Sequence, residues 1–229
     1  MKRGAVCDEC NNRFSSFEGK ALSNTIFVME RARHGVVSKK GRNAKGKIGE
    51  LEIEGDTMFE KQKITIKGLS EENFTEFDRN TGMGILLVKS FDQNEVAMSR
   101  LLLKMALESI YTSRKEIYEK YDFKELKGYM TNSANTDWPF LTTSKEVKEF
   151  ISVPRYLDKH ILKLNKLELK YCEVNEQTLL FKFKFGAVSM IINLLNRSQQ
   201  WINEYSDADS KSRLYPEHFR NKFGIKYDD

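Results

Sequence analysis

Proline is scarce, with three residues in a chain of 229, and glycine contributes thirteen. So few chain breakers exclude a long Pro-rich or Gly-rich linker. Long apolar runs are missing as well. The best candidate, FGAVSMIINLL, is about half of the roughly 20 residues a membrane-spanning helix needs, and reads as a strand or short helix in a core. No apolar h-region opens the sequence, so no signal peptide is visible. Three cysteines are an odd and small supply for a disulfide framework, which points to a reducing cytoplasm. There Cys172, inside LELKYCEVN, reads as a buried strand residue. Neither a P-loop nor a Rossmann glycine pattern occurs.

What remains is an ordinary globular composition, 40% hydrophobic and 31% charged, enough for one large or two small domains with a real core. The net charge of +5 is unevenly placed. Residues 1–50 hold 11 Lys and Arg against 5 Asp and Glu, and the rest of the chain carries 27 against 28. A basic excess gathered at one end is the electrostatic footprint of a nucleic-acid partner, or else a solvated surface loop.

Hydrophobic spacing sets the expected elements. Phe14, Phe17, Leu22, Ile26, Phe27 and Met29 recur at helical intervals from Asn11 to about Arg33, with Gly19 a possible point of division and Gly35 a stop. The acid-free VVSKKGRNAKGK reads as an exposed basic loop. IGELEIEGD and KQKITIKG alternate like two paired strands, GMGILLVKSF like a third, and the acidic SEENFTEFDRN between them like a turn-rich link. NEVAMSRLLLKMALESIYTS predicts a helix buried on more than one side, RKEIYEKYDFKELKGYM one or two short helices, and TNSANTDWPF a loop. ILKLNKLELKY and TLLFKFKFGAVSMIINLL predict an antiparallel pair turning at CEVNEQ. The polar tail reads as irregular. The expected fold class is α+β, with a small module over 1–47 followed by a mixed helical and antiparallel-sheet body over 48–229.

Cys7 and Cys10 stand in a C-x-x-C spacing, which lets two sulfurs converge on one point across a tight turn, as in half of a tetrahedral zinc site. A completing partner would come from Cys172, His34, His160 or His218, none of them closely paired. Two uncoordinated thiols at a helix start, or a redox dithiol, are the alternatives. Asn11 and Asn12 follow at once, and Asn is also a preferred helix cap. Arg31, Arg33, Lys39, Lys40, Arg42, Lys45 and Lys47 form an acid-free basic run, with Gly35, Gly41 and Gly46 offering close backbone approach to a phosphodiester chain. Arg100 and Lys104, four apart on a predicted helix, either reach a nucleic-acid backbone or are ordinary surface charges. Trp138 and Trp201 are candidates for base stacking or core packing, Glu71 and Glu72 for solvated charge, and His218 beside Glu217 for a terminal turn.

RGAVCDECNNRFSSFEGKAL resembles the last third of an HNH endonuclease domain, of the subtype with a zinc-ribbon cysteine framework. RARHGVVSKKGR and SRLLLKMALESI are similar to segments that follow it in bacterial and phage members. The three stretches cover about a quarter of the chain. The resemblance implies a ββα-metal module, structural zinc held in part by Cys7 and Cys10, a Mg²⁺-like divalent cation with Asn11 as candidate ligand (Asn12 the alternative), and metal-dependent phosphodiester hydrolysis of DNA. It also implies a general-base histidine and a first C-x-x-C ahead of Cys7, where this sequence has neither. The expectation is therefore an N-terminally incomplete or degenerate homologue that does not cut nucleic acid as it stands. The alternative is a non-catalytic nucleic-acid-binding or protein-interaction protein. A homodimer is possible under either, and no membrane is involved.

Overall fold

Alternating Phe, Leu and Ile in the last third of the chain build a five-stranded antiparallel sheet, and the helices before it supply one cover. In the computed structural model the described residues are 7–24, 27–28, 30–31, 36, 40–43, 45–48, 50–55, 64–70, 74–78, 80–81, 83–86, 94–131, 137–144, 167–185, 188–202 and 211–215. The fold is α+β, as the sequence predicts. The chain forms two compact units. The first holds residues 1–21, 94–150 and 167–229, and the second holds 22–93 and 151–166. The division expected near residue 47 falls inside a strand, where hydrogen-bonded pairing joins the residues on either side of it.

In the first unit, α1 (Asp8–Leu22) buries Phe14, Phe17 and Ala21 on one stripe. Asp8 and Glu9 lie in its first turn, where negative charge complements the helix dipole. Gly19 lies within the helix, and the helix ends instead at Leu22. α2 (Glu95–Ser113) is covered around much of its circumference, burying Met98, Leu101, Leu102, Leu103, Ala106 and Ile110. It closes when the Arg114 N–H donates to the Ile110 carbonyl, and non-helical backbone at Arg114 (φ −139°, ψ 59°) starts a new direction. The short helices α3 (Lys115–Lys120) and α4 (Lys124–Thr131) follow.

The sheet runs in the order β10-β6-β9-β8-β7, comprising β6 (Phe140–Ser144), β7 (Leu167–Asn175), β8 (Thr178–Phe185), β9 (Val188–Asn193) and β10 (Lys211–Tyr215). Its register lines up Tyr215, Phe140, Ile192, Phe181 and Tyr171 in one row across all five strands. Phe140 stacks on Tyr215 at 5.4 Å and Tyr171 leans on Phe181 at 5.3 Å. The Tyr171 hydroxyl donates to the Ala106 carbonyl of α2, which fixes this as the helix-facing side. The opposite side packs Leu141, Leu180, Ile191 and Leu214 against Trp201 and Ile202. Both tryptophans are core residues, and the Trp138 indole donates to the Asn193 carbonyl at 2.7 Å. The buried Asn193 side chain accepts from the Leu179 and Leu195 N–H groups and donates to the Gln177 carbonyl and Asn196. It thereby ties the β7–β8 turn to the end of β9.

The stretch TLLFKFKFGAVSMIINLL, expected as one strand, folds as two, β8 and β9, paired antiparallel with each other, and the expected turn CEVNEQ lies on β7 as far as Asn175. Two further strands depart from expectation. β6 begins where TNSANTDWPF reads as loop, because Phe140 is needed in the aromatic row. β10 forms in the polar tail, where Leu214 and Tyr215 supply one residue to each face. Cys172, expected to be buried, is exposed on β7.

In the second unit, β1 (Lys45–Ile48), β2 (Leu51–Gly55) and β3 (Ile64–Lys67) form one antiparallel sheet. Leu51 and Ile53 are buried on one face, as are Phe27 and Val28 of the helical residues before it. β4 (Phe74–Asp78) and β5 (Met83–Leu86) form a separate hairpin. β4 lies in the acidic stretch read as a link, since Phe74, Thr75 and Phe77 favour extended backbone. The Asp78 carboxylate organises the turn by accepting from the Asn80 N–H and the Thr81 hydroxyl.

Candidate functional site

The cysteine pair opens α1. Cys7 precedes its first turn and is exposed, and Cys10 lies within that turn, half-buried. The Cys10 N–H donates to the Cys7 sulfur at 3.3 Å, so the thiol takes the place of a capping hydroxyl. That backbone bond, aided by the Cys10 thiol, holds the Cys7 pKa below the usual thiol range. The hydrogen bond to Cys7 pushes Cys10 the other way. Asn11 and Asn12 are both exposed inside the helix. Asn11 is therefore not the helix cap; its N–H makes the first regular helical bond, to the Cys7 carbonyl at 2.9 Å.

As a donor set, two adjacent sulfurs suit one side of a tetrahedral zinc site and an amide oxygen suits a harder cation. Among the described residues, no group of three or more His, Cys, Asp or Glu completes a metal site. His34, His160 and His218 lie outside the described residues, as does Glu217. Two sulfurs could supply at most half of the four ligands of a structural zinc site.

Beside the pair lies a cleft of about 430 Å³, contained within the first unit. Cys7, Cys10 and Phe14 of α1 form one side, and Tyr111, Tyr118 and Lys127 belong to the other. Tyr111 is 45% exposed and meets Tyr118 edge-on at 5.2 Å, while Tyr118 stacks on Phe123 at 5.8 Å. The Lys127 ammonium donates to the Tyr118 hydroxyl at 2.9 Å and lies 5.0 Å from its ring centre. The Arg13 guanidinium reaches the Thr131 carbonyl at 3.2 Å, holding the start of α1 to the end of α4.

At the cleft wall Lys104 departs from both sequence expectations. Its side chain is 7% exposed, ion-paired to Glu18 and to Glu108, and lies 5.6 Å from the Phe14 ring centre. Burial alone would lower its pKa, but the Glu18 and Glu108 carboxylates outweigh that and hold it raised. The Glu108 contact, at 3.3 Å, is an ion pair without hydrogen-bond alignment. Lys104 is a structural tie between α1 and α2. Arg100, one turn earlier, lies 5.1 Å from the Tyr129 ring centre.

The basic run is less uniform than its sequence. Lys45 and Lys47 lie on β1 and ion-pair with Glu54 and Glu52 of β2, at 2.8 and 2.9 Å. The Glu52 side chain holds the Lys47 pKa above its usual range. Lys40 and Arg42 are exposed and Arg31 is half-buried; Arg33 and Lys39 lie outside the described residues. Gly41 has a positive φ of 71° with open space around it. Gly46 serves packing rather than phosphate approach, because a Cβ there would meet Val28 side-chain carbons at 2.2 Å. The cysteine pair and this basic run belong to different units, so α1 and the basic run do not form one compact module.

No protein-family model matches the chain, and no curated protein or solved structure is significantly similar to it. Function is therefore argued from the residues. Sequence reasoning found the thiol pair from its spacing but missed the cleft. Tyr111, Tyr118 and Lys127 come from three different helices, and only the packing of those helices brings them together. Among the described residues no helix is long and apolar enough to cross a membrane.

Proposed function

We propose that the chain is a nucleic-acid-binding homologue of HNH endonucleases. In this reading Cys7 and Cys10 contribute two ligands of a structural zinc site, Asn11 is a candidate ligand for a Mg²⁺-like cation, and Arg31, Lys40 and Arg42 contribute phosphate contacts. The supporting observation is the placement of both sulfurs together at the solvent-facing start of α1, with Asn11 exposed directly behind them. Zinc would brace the helix start, and the harder cation would stabilise charge developing on a phosphate. The residues assigned here contain no general base, so the chain binds without cutting.

The test measures zinc content together with binding and cleavage of duplex DNA. Zinc retained by the wild type and lost in Cys7→Ser supports the reading, as does DNA affinity that falls with salt and with neutralisation of Lys40 and Arg42. Mg²⁺-dependent cutting that Asn11→Ala abolishes would overturn the non-cutting part. The pairing of Lys45 and Lys47 with glutamates favours a second reading, a protein-interaction role without nucleic acid. Absence of both zinc and DNA binding would select it.

A further inference from the structure

The zinc and DNA assignments leave unused the cleft beside the cysteine pair. Its volume falls within the range of small-ligand pockets, about 300–1,000 Å³. Its lining divides by chemistry. Phe14, Leu107 and Met130 offer apolar contact, and Tyr111 is 45% exposed. Aromatic rings exposed in a cleft are stacking platforms for planar heterocycles.

The polar groups are few and separated. Lys127 is exposed at the cleft, where its ammonium contacts Tyr118 and feels the Asp122 carboxylate at longer range. Lys104 is neutralised by its two carboxylates, so the positive charge the cleft presents to a ligand is that of Lys127. The Glu108 carboxylate also lines the cleft, offering an acceptor for an N–H donor. A ring that stacks, carries an N–H donor and bears one adjoining anion satisfies all three.

We propose that this cleft binds an unpaired nucleotide, with the base stacked at Tyr111 and the phosphate at Lys127. Duplex DNA cannot supply such a ligand, because its bases are stacked and paired. A single strand and a free mononucleotide both can. The inference rests on the nucleic-acid reading above for its strand form, and it adds a site that reading does not contain.

Binding is measured by fluorescence anisotropy for labelled oligothymidylate, alone and annealed to its complement. Thymidine monophosphate and thymidine are titrated calorimetrically. Single-strand affinity exceeds that for the duplex at equal salt. Tyr111→Ala weakens it at least about fivefold, and Tyr111→Phe keeps it, as expected for stacking. Lys127→Ala lowers the single-strand salt slope by about 0.7, one phosphate contact, and removes the preference for thymidine monophosphate over thymidine. Both positions are exposed, and circular dichroism checks that each variant is folded. Tyr111-dependent binding of the mononucleotide without strand binding supports the cleft with a free nucleotide as its ligand. Duplex binding with no Tyr111 or Lys127 effect on any ligand overturns the cleft proposal and leaves the nucleic-acid reading intact. No binding of any of the four probes overturns both.

Discussion

The two units solve burial in different ways. The first has a sheet covered on both faces, with a five-residue aromatic and aliphatic row on one side and a Trp201-centred cluster on the other. In the second, the described core residues are Phe27, Val28, Leu51 and Ile53, and charged pairs occupy the outer face of β1 and β2. Strength in the first comes from volume buried, while in the second it rests on a few close contacts. The basic residues seen in the sequence ride on the second, and the thiols and cleft belong to the first.

The largest expected effect is at the centre of the aromatic row. Phe181→Ala should cost about 3–5 kcal/mol and lower the urea midpoint followed by tryptophan fluorescence. Both tryptophans lie in the first unit, so that signal reports it alone. A loss under about 1 kcal/mol would break the comparison.

Lys104→Met should cost about 3 kcal/mol, because it leaves the Glu18 and Glu108 carboxylates against apolar surface without their cation. The folded pKa of Lys104 is raised, so its contribution is fully present below the ordinary lysine value of about 10.4 and fades as pH rises through the folded value. The difference in urea midpoint between wild type and variant should therefore be constant from pH 7 to about 10 and shrink above that. A gap that shrinks below pH 9 would contradict the assignment.

Asn193→Ala should cost about 2 kcal/mol, since it leaves the buried Leu179 N–H without its acceptor, while the Gln177 carbonyl keeps the Asn196 amide. Gly46→Ala should cost about 1–3 kcal/mol through overpacking against Val28. Its effect should appear as faster amide exchange in β1 and β2, with the tryptophan transition unmoved. Neutralising Lys47 should leave the unfolding midpoint of the second unit unmoved within error, because its pair with Glu52 is solvent-exposed and screened.

Legibility in the sequence followed periodicity. α2, the β2–β3 pair and the β7–β8 hairpin were readable because their apolar residues recur at a regular helical or alternating spacing. β4 and β10 were not, although they are as long as β2, since each lies in a polar stretch whose composition masks the strand. The ionic role of Lys104 was hidden because Glu18 lies 86 positions away. The basic run was overread for a related reason, as the glutamates that pair with Lys45 and Lys47 come from the next strand and not from the run itself. For the candidate site, C-x-x-C spacing revealed two sulfurs, but no local pattern could reveal a cleft assembled from four helices.

Among the described residues β7 is one of the two edge strands of the five-stranded sheet, opposite β10, with backbone amides and carbonyls along one border and exposed Leu169 and Cys172 nearby. Such a border invites another chain to add itself strand by strand. Glu168, Lys170 and Glu173 punctuate it with charge, and ties from Lys120 and Tyr121 to Glu173 anchor its far end. Charge spaced along an edge strand disfavours the approach of a second strand, so these three side chains guard the border as well as decorate it.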